Sequence, residues 1–438
     1  MNKEILRLSV PAIVSNITVP LLGLCDTAIS GHLGSDLYLA AIAVGSVMLN
    51  VVFWLFGFLR MGTTGLTATA FGAGDDSGVR KVFTRAMLLA GGAGVALILA
   101  RELVMYALMK LIGAEPDVAG YVGRYFMIRI WGSPALLGVL AVSGWFVGMQ
   151  STAYPMVIAI SVNIVNIAAS FALVFWFGLG FEGVAWGTLV SNWVGLAIAM
   201  GCALRFSKGK RLWCGVREAV SGGGMGRFFS VNSNLFFRSA CIICVTLGVT
   251  AAGARLGAAT LAINVVVMQF FQFFSFFMDG FAFSGEALVG RWWGAGDSVM
   301  VGKYVRALLW WTVGVALLFT VCYGLGSDGI TSLLTDSESV RQGVKGMRAW
   351  IWSLPVVSAW AFIYDGFYVG VTDTRKMMMS TIVATIVFYI VAFVKLAEGR
   401  VVIEVDSNAA VWTAFLSYLF IRGAFLAIAW HIVPRHVK

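Results

Sequence analysis

One carboxylate near the N-terminus, Asp26, stands alone inside a long apolar run. The surrounding stretch 21–33, LLGLCDTAISGHL, contains no lysine or arginine. A charged carboxylate at the centre of a bilayer costs about 2.5–3.5 kcal/mol, and loss of solvation favours the protonated acid. An isolated acid in a membrane helix is therefore a candidate for binding and releasing a proton. The alternative is a structural Asp26 that bonds to a neighbouring helix or faces water.

Two prolines, Pro11 and Pro20, precede Asp26 in the same run. Proline removes a backbone donor and bends or loosens a helix. We expect a hinge at Pro20, close to the titratable group. A proton-driven switch requires this combination.

A second group of acids lies in apolar runs of the C-terminal half. Asp279 and Glu286 are seven residues apart, which places them on one helix face about two turns apart. Asp365 lies in YDGFYVG, where Gly366 leaves room for a close helix approach. Arginines also occur in apolar runs: Arg60, Arg129, Arg238 and Arg422. The acids either bind a transported cation or gate the route, or they pair with these arginines, which is what we expect for Glu286.

Uncharged polar residues recur at helical spacing in SVNIVNIAASFALVF. Asn163, Asn166 and Ser170 fall near one face of that helix, and Thr188 in the next run, GVAWGTL, could join them. One interpretation is that they bond across helices, as polar residues in membranes often do. The other is that they line a cavity with Asp26 and bond its protonated form.

No residue pattern typical of an enzyme or a metal site occurs. The six cysteines are scattered, the three histidines are far apart, and we find no nucleophile paired with a base. We therefore expect no enzymatic activity, no metal and no cofactor.

The composition is that of a membrane protein. Of 438 residues, 60% are hydrophobic and 12% are charged, against about 25% charged in soluble domains. Apolar runs of about 20 residues recur along the chain and predict an all-α polytopic protein with twelve transmembrane helices. The net charge of +10 comes mainly from short loops, so it indicates cytoplasmic loops and not nucleic acid binding. This rule places both termini in the cytoplasm.

One polar interruption stands out near the middle of the chain. Residues 205–227, RFSKGKRLWCGVREAVSGGGMGR, are basic and rich in glycine. We interpret them as a cytoplasmic linker between an N-terminal lobe, 1–204 with six helices, and a C-terminal lobe, 228–438 with six more.

An internal repeat supports this division. GAGD ends an apolar run at Asp75 and again at Asp297, WGSPALLG resembles WSLPVVSA, and WFVGMQST resembles FYVGVTDT, all at an offset near 222 residues. Because each repeat holds six spans, both face the same way. The repeat therefore predicts pseudo-two-fold symmetry about the membrane normal, as in known transporters.

Four strings, in this order, resemble the multidrug and toxic compound extrusion (MATE) family, and its DinF branch in particular: SNITVPLLGLCDTAISGHLG, FLRMGTTGLTATAFGA, DGFAFSGEALVG and DGFYVG. The resemblance implies a twelve-helix, two-lobe antiporter in the prokaryotic cytoplasmic (inner) membrane. Such proteins export small lipophilic, often cationic compounds in exchange for H⁺ or Na⁺.

The resemblance also implies roles for individual residues. Asp26 stands where the family has its proton-binding acid, and Thr188 loosely matches a polar position in the sixth span. Relatives carry an asparagine and then an aspartate where this chain has Asn166 and Ser170. Asn234 occupies a position where close relatives are expected to have an acid.

Our hypothesis is an H⁺-coupled antiporter, with Asp26 as the proton carrier and Pro20 as the hinge. Na⁺ coupling through Asp279, Glu286 and Asp365 is the first alternative, and a flippase for lipid-linked substrates is the second. A non-transporting membrane scaffold is a further alternative, which has no need of an intramembrane acid. We expect a monomer.

Overall fold

The computed structural model describes residues 1–31, 35–112, 116–221, 223–397, 400–403 and 405–432, without the side chains of some residues within these ranges. The N-terminal half is helical, with a 3-10 turn at Ile130–Gly132, a π-helical segment at Ala172–Trp176 and these helices: α1 (Asn2–Gly31), α2 (Asp36–Leu55), α3 (Phe58–Gly72), α4 (Asp76–Leu99), α5 (Arg101–Ile112), α6 (Pro116–Arg129), α7 (Ser133–Gly148), α8 (Ala153–Phe171), α9 (Phe181–Phe206) and α10 (Val216–Ser221). The C-terminal half contains α11 (Met225–Arg255), α12 (Ala258–Gly294), α13 (Ser298–Leu334), α14 (Glu338–Gly346), α15 (Arg348–Gly370), α16 (Thr374–Phe393), β1 (Val394–Ala397), β2 (Arg400–Ile403) and α17 (Asn408–Ile432).

Twelve helical segments in the described ranges are long enough to cross a membrane. Ten of them also meet a criterion of apolar composition. The other two, α1 and α15, are 30 and 23 residues long, which at about 1.5 Å per residue spans the roughly 30 Å hydrocarbon core. The prediction of an all-α polytopic membrane fold is confirmed.

The elements differ from the predicted spans in two places. The apolar stretch 83–108 predicts one transmembrane helix by its length, but the structure divides it at Ala100 into α4 and α5. A short antiparallel hairpin of β1 and β2 follows α16, with Val394 opposite Ile403 and Ala397 opposite Arg400, although the apolar stretch 377–396 predicts helix as far as the middle of β1.

The chain forms two compact units, residues 10–229 and residues 1–9 with 230–438. These bounds differ from those of the predicted lobes, because the first nine residues belong to the C-terminal unit. There Ser9 Oγ lies 2.7 Å from Ser284 Oγ, and Tyr304 donates to the Glu4 carboxylate.

The basic segment 205–227 packs on the N-terminal unit. Arg85 of α4 is buried; its Nε donates to the carbonyl of Ala219 and its Nη2 to that of Gly223, both at 2.9 Å. The neighbouring Thr84 accepts from the backbone N–H of Cys214 at 3.1 Å. These bonds attach the segment to α4 on both sides of α10.

The internal repeat is visible in the helix termini. Gly74 and Gly296, 222 residues apart, both have a positive φ, of 70° and 78°, which glycine adopts without strain. The next residues, Asp75 and Asp297, cap α4 and α13 by accepting from the backbone N–H three residues later, at 2.8 and 2.9 Å. The GAGD motif is therefore a turn that ends one helix and starts the next in both repeats.

The repeat extends to how the helices pack. A Cβ on Gly144 of α7 would lie 2.3 Å from the Arg60 carbonyl oxygen of α3. A Cβ on Gly366 of α15 would lie 2.5 Å from the Ala282 carbonyl oxygen of α12. Each member of the second pair lies 222 residues after its counterpart in the first. Both units therefore depend on the same glycine contact, including the close approach predicted at Gly366.

Candidate functional site

Asp26 and Pro20 both lie within α1, which is helical without interruption from Asn2 to Gly31. The ring of Pro20 is exposed, whereas the side chain of Asp26 lies outside the described part of the chain. The predicted roles of Asp26 in proton binding and of Pro20 as a hinge therefore remain predictions.

One hydrogen bond joins α8 to α1. The side-chain amide of Asn163 donates to the backbone carbonyl of Thr18 at 3.1 Å. Ser170 lies seven residues after Asn163, on nearly the same helix face. The side of α8 that carries the predicted polar residues therefore meets α1 at one point at least.

Asn166, Thr188 and Ser191 form a buried polar cluster between α8 and α9. Asn166 Nδ2 donates to Thr188 Oγ1 at 2.9 Å and lies 3.4 Å from Ser191 Oγ. Thr188 in turn donates to the carbonyl of Val184 at 3.1 Å. The bond between Asn166 and Thr188 joins two residues of the predicted set. Ser191 was missed, although its spacing of three residues from Thr188 on an apolar helix indicates the same face.

Two atoms beside this cluster have no hydrogen-bond partner within the described ranges: Asn166 Oδ1 and Ser170 Oγ, both on fully buried residues. Ser170 packs against Gly187 of α9, where an added Cβ would lie 2.3 Å from its hydroxyl oxygen. Buried polar atoms without partners cost about 1–3 kcal/mol each. Buried atoms of this kind are expected where a ligand or a titrating side chain supplies the missing hydrogen bond in one step of a functional cycle.

A π-helical segment, Ala172–Trp176, begins two residues after Ser170. Segments of this kind are rare and occur frequently at functional sites. Its position shows that α8 departs from regular geometry directly beyond the polar cluster.

In the C-terminal unit, Asp365 is held in a buried ion cluster. Its Oδ2 accepts from Arg238 of α11 and, at 2.5 Å, from Arg422 of α17. Arg422 also bonds Tyr418 at 3.3 Å. Asp365 is 4% exposed and Arg422 is 4% exposed. Of the two interpretations of Asp365, this geometry favours the structural one.

The other C-terminal candidates lie on α12. Glu286 is buried and Asp279 is half-buried. For both residues the two interpretations, a transport-linked role and a structural ion pair, stay open. Asn234 donates to Thr374 Oγ1 at 3.3 Å, so it serves as a link between α11 and α16.

Comparisons with known proteins agree with this architecture. The sequence profile of the MatE family matches residues 11–172 and 235–394, whose last residues are 222 positions apart, as in the repeat. The chain is 33% identical over 98% of its length to DNA damage-inducible protein F of Escherichia coli, covering 92% of that protein. It is 26% identical to a probable multidrug resistance protein NorM of Thermotoga maritima, over 74% of this chain and 69% of that protein.

A solved structure has the same fold. It is described as the outward-facing conformation of a multidrug resistance MATE family transporter of the MOP superfamily. The TM-score is 0.86 at 17% sequence identity, with 100% of this chain and 97% of that chain covered.

Proposed function

The chain belongs to the MatE family of multidrug transporters, whose members are membrane transporters and not enzymes, and we propose that it is an H⁺-coupled antiporter with Asp26 as the proton carrier. Its substrates are small lipophilic compounds, often cationic. It works as a monomer in the cytoplasmic (inner) membrane of a prokaryote, with both termini in the cytoplasm.

The observation that carries this proposal is the pair of buried, unpartnered oxygens on α8, Asn166 Oδ1 and Ser170 Oγ. Spans one and five cross the membrane in the same direction in the predicted topology. Measured from the bond between Asn163 and Thr18, Ser170 lies seven residues further along α8, or about 10.5 Å. Asp26 lies eight residues beyond Thr18 on α1, or about 12 Å. The backbones at Asp26 and Ser170 are therefore expected at a similar depth.

The chemistry of these oxygens suits a carboxyl group that gains and loses a proton. A protonated carboxyl can donate to an amide oxygen such as Asn166 Oδ1, which is an acceptor only. An ionised carboxylate can accept from the Ser170 hydroxyl but has no proton to give the amide oxygen. Protonation of Asp26 would thus add a hydrogen bond to α8, and deprotonation would remove it. In this way the charge state of one residue would set the contact between two helices.

The transport cycle follows from this switch. In the outward-open state Asp26 takes a proton from outside, and the loss of negative charge releases a cationic substrate. The α1 helix then bends at Pro20. In the inward-open state the proton leaves to the cytoplasm and substrate binds again.

The ion cluster at Asp365 disfavours the Na⁺ alternative at that residue. Two guanidinium groups share its Oδ2, so a sodium ion would have to displace buried positive charge. This argument leaves Asp279 and Glu286 as the acids on which a Na⁺-coupled mechanism would depend.

The test is transport of a fluorescent lipophilic cation such as ethidium in proteoliposomes of purified protein. Either a pH gradient or a Na⁺ gradient at fixed pH is imposed. We expect pH-driven flux in the native chain and its loss in Asp26→Asn, which keeps the side-chain shape but cannot ionise. A one-for-one exchange of H⁺ for a monovalent cation is electroneutral, so a K⁺ diffusion potential should leave the rate unchanged.

The matched control is Asp76→Asn, because Asp76 is an acid of the same unit with an exposed side chain. It should transport like the native chain. Unchanged pH-driven flux in Asp26→Asn would refute the role of Asp26. Flux that follows only the Na⁺ gradient would show that the coupling ion is Na⁺ and not H⁺.

A further inference from the structure

A groove of about 1360 Å³ runs along the outer face of α13 in the C-terminal unit. Its lining includes Asn2, Lys303, Arg306, Trp310, Gly314 and Leu318. Pockets for small molecules typically measure about 300–1,000 Å³. The groove is therefore larger than a site for one small compound requires.

One end of the groove is positively charged. Lys303 and Arg306 are exposed and lie one helical turn apart, and neither has an acidic partner in the described ranges. No aspartate or glutamate occurs among the lining residues. This end is complementary to an anion and unfavourable for the cationic compounds that we propose as substrates.

The rest of the groove is apolar and has the length of one lipid leaflet. Arg306, Trp310, Gly314 and Leu318 recur every four residues, so they form one stripe along α13. From Arg306 to Leu318 the helix rises about 18 Å. Half of the hydrocarbon core measures about 15 Å. A lipid acyl chain that starts beside Lys303 and Arg306 would thus end near the bilayer centre.

Tryptophans surround the charged end of this stripe. Trp310 is 71% exposed, and Trp293, Trp311 and Trp430 also line the groove. Tryptophan is enriched at the level of the lipid headgroups. Their presence beside Lys303 and Arg306 puts that end of the groove at the interface.

We propose that this groove binds one anionic phospholipid from the adjacent leaflet. Lys303 and Arg306 bind its phosphate, and one acyl chain lies along the open stripe at Gly314 and ends near Leu318. Basic pockets between membrane helices bind lipid headgroups by the same chemistry. The inference is independent of the coupling ion.

The test measures lipids retained by the full chain after incubation in nanodiscs of equal parts phosphatidylglycerol and phosphatidylcholine. Native mass spectrometry counts the lipids of each class that remain bound. We expect one phosphatidylglycerol to be retained in preference to phosphatidylcholine. Removing the charges with Lys303→Gln and Arg306→Gln should weaken that preference about fivefold for each cation, the effect of a basic residue near an anionic surface.

A second variant blocks the acyl chain without touching the charges. Gly314→Leu should abolish retention, and its side chain enters open space, because an added Cβ there meets nothing within 4 Å. Gly324→Leu is the matched control, since it lies on the same helix, also faces open space and does not line the groove.

Three outcomes would overturn the proposal. Equal retention of the two lipid classes would exclude recognition of the headgroup. Retention that survives Gly314→Leu would place the lipid elsewhere. The control variant Arg211→Gln with Arg217→Gln removes the same charge from the segment 205–227. If it lost the preference for phosphatidylglycerol to the same extent, the preference would depend on net charge and not on this groove.

Discussion

Substitution of Asp365 tests whether this acid holds the C-terminal unit together or carries a transported ion. In the native chain its Oδ2 is shared by Arg238 and Arg422, and all three side chains are at most 9% exposed. Asp365→Asn keeps the size of the side chain and removes its charge. The two guanidinium groups then remain buried without the carboxylate that they share.

We expect a large loss of stability, because the charges of the two guanidinium groups stay buried. Removing one partner of a buried ion pair costs about 3–5 kcal/mol. Asp365 serves two arginines, so we expect the upper half of that range. For a unit of about 200 residues this corresponds to a fall in melting temperature of about 10 °C or more.

The assay heats the purified protein in detergent to a series of temperatures and measures the fraction that stays monodisperse at each one. Asp328→Asn is the matched control, because Asp328 also contacts an arginine, Arg348, but the two side chains are 54% and 40% exposed. It should unfold near the native temperature, since exposed ion pairs contribute little. The double variant Asp365→Asn with Arg422→Met should recover part of the loss, because it removes one uncompensated charge.

Two results would refute this reasoning. If Asp365→Asn melted like the native protein, the ion cluster would not stabilise the unit. If the variant were stable and lost transport driven by a Na⁺ gradient, Asp365 would be a cation site, and the alternative coupling mechanism would replace the proton mechanism.

Two further predictions concern packing in the N-terminal unit. Gly187→Ala should destabilise the protein by about 1–3 kcal/mol, the usual cost of overpacking, because the added Cβ would lie 2.3 Å from the Ser170 hydroxyl oxygen of α8. The control is Gly201→Ala on the same helix, whose added Cβ meets nothing within 4 Å. It should be neutral or stabilising in the same thermal assay. Arg85→Met should release the segment 205–227 from α4 and increase trypsin cleavage within it at least severalfold, whereas Arg80→Met should leave the cleavage rate unchanged. Equal effects in the members of either pair would contradict the contacts on which it rests.

The sequence predicted most helices and the end of an apolar run at GAGD within each repeat, since both depend on local signals. GAGD specifies a glycine in the left-handed region followed by a capping aspartate, and the structure has that turn at Gly74 and at Gly296. The break at Ala100 was not predicted, because no glycine or proline marks it and the charged residues that follow, Arg101 and Glu102, are good helix formers. The hairpin after α16 was missed because two strands of four residues carry too short a pattern to distinguish them from a loop.

Side-chain partners were harder to predict than elements. Pairing of intramembrane arginines with acids was one of two interpretations of the sequence, but Arg238 and Arg422 lie 127 and 57 residues from Asp365. No periodicity along one helix indicates which arginine reaches which acid. Ser191 could have been placed on the face of Thr188 by its spacing, but its contact with Asn166 depends on the packing of α8 on α9.

The two repeats keep the same packing and differ in their charges. Gly144 and Gly366 make equivalent backbone contacts, yet the residue 222 positions before Asp365 is Ser143, which cannot hold two arginines by charge. Conversely, an offset of 222 or 223 from Asp26 leads to Gly248 or Val249, so the C-terminal repeat has no acid there. Asp279 and Glu286 likewise correspond to Gly57 and Thr64, so none of these intramembrane acids has an acidic counterpart in the other repeat. Because two arginines hold the carboxylate of Asp365, the coupling mechanism is decided between Asp26 in the first repeat and Asp279 and Glu286 in the second. Substitution of each of these three acids, with transport measured under a pH gradient and under a Na⁺ gradient, separates the two hypotheses.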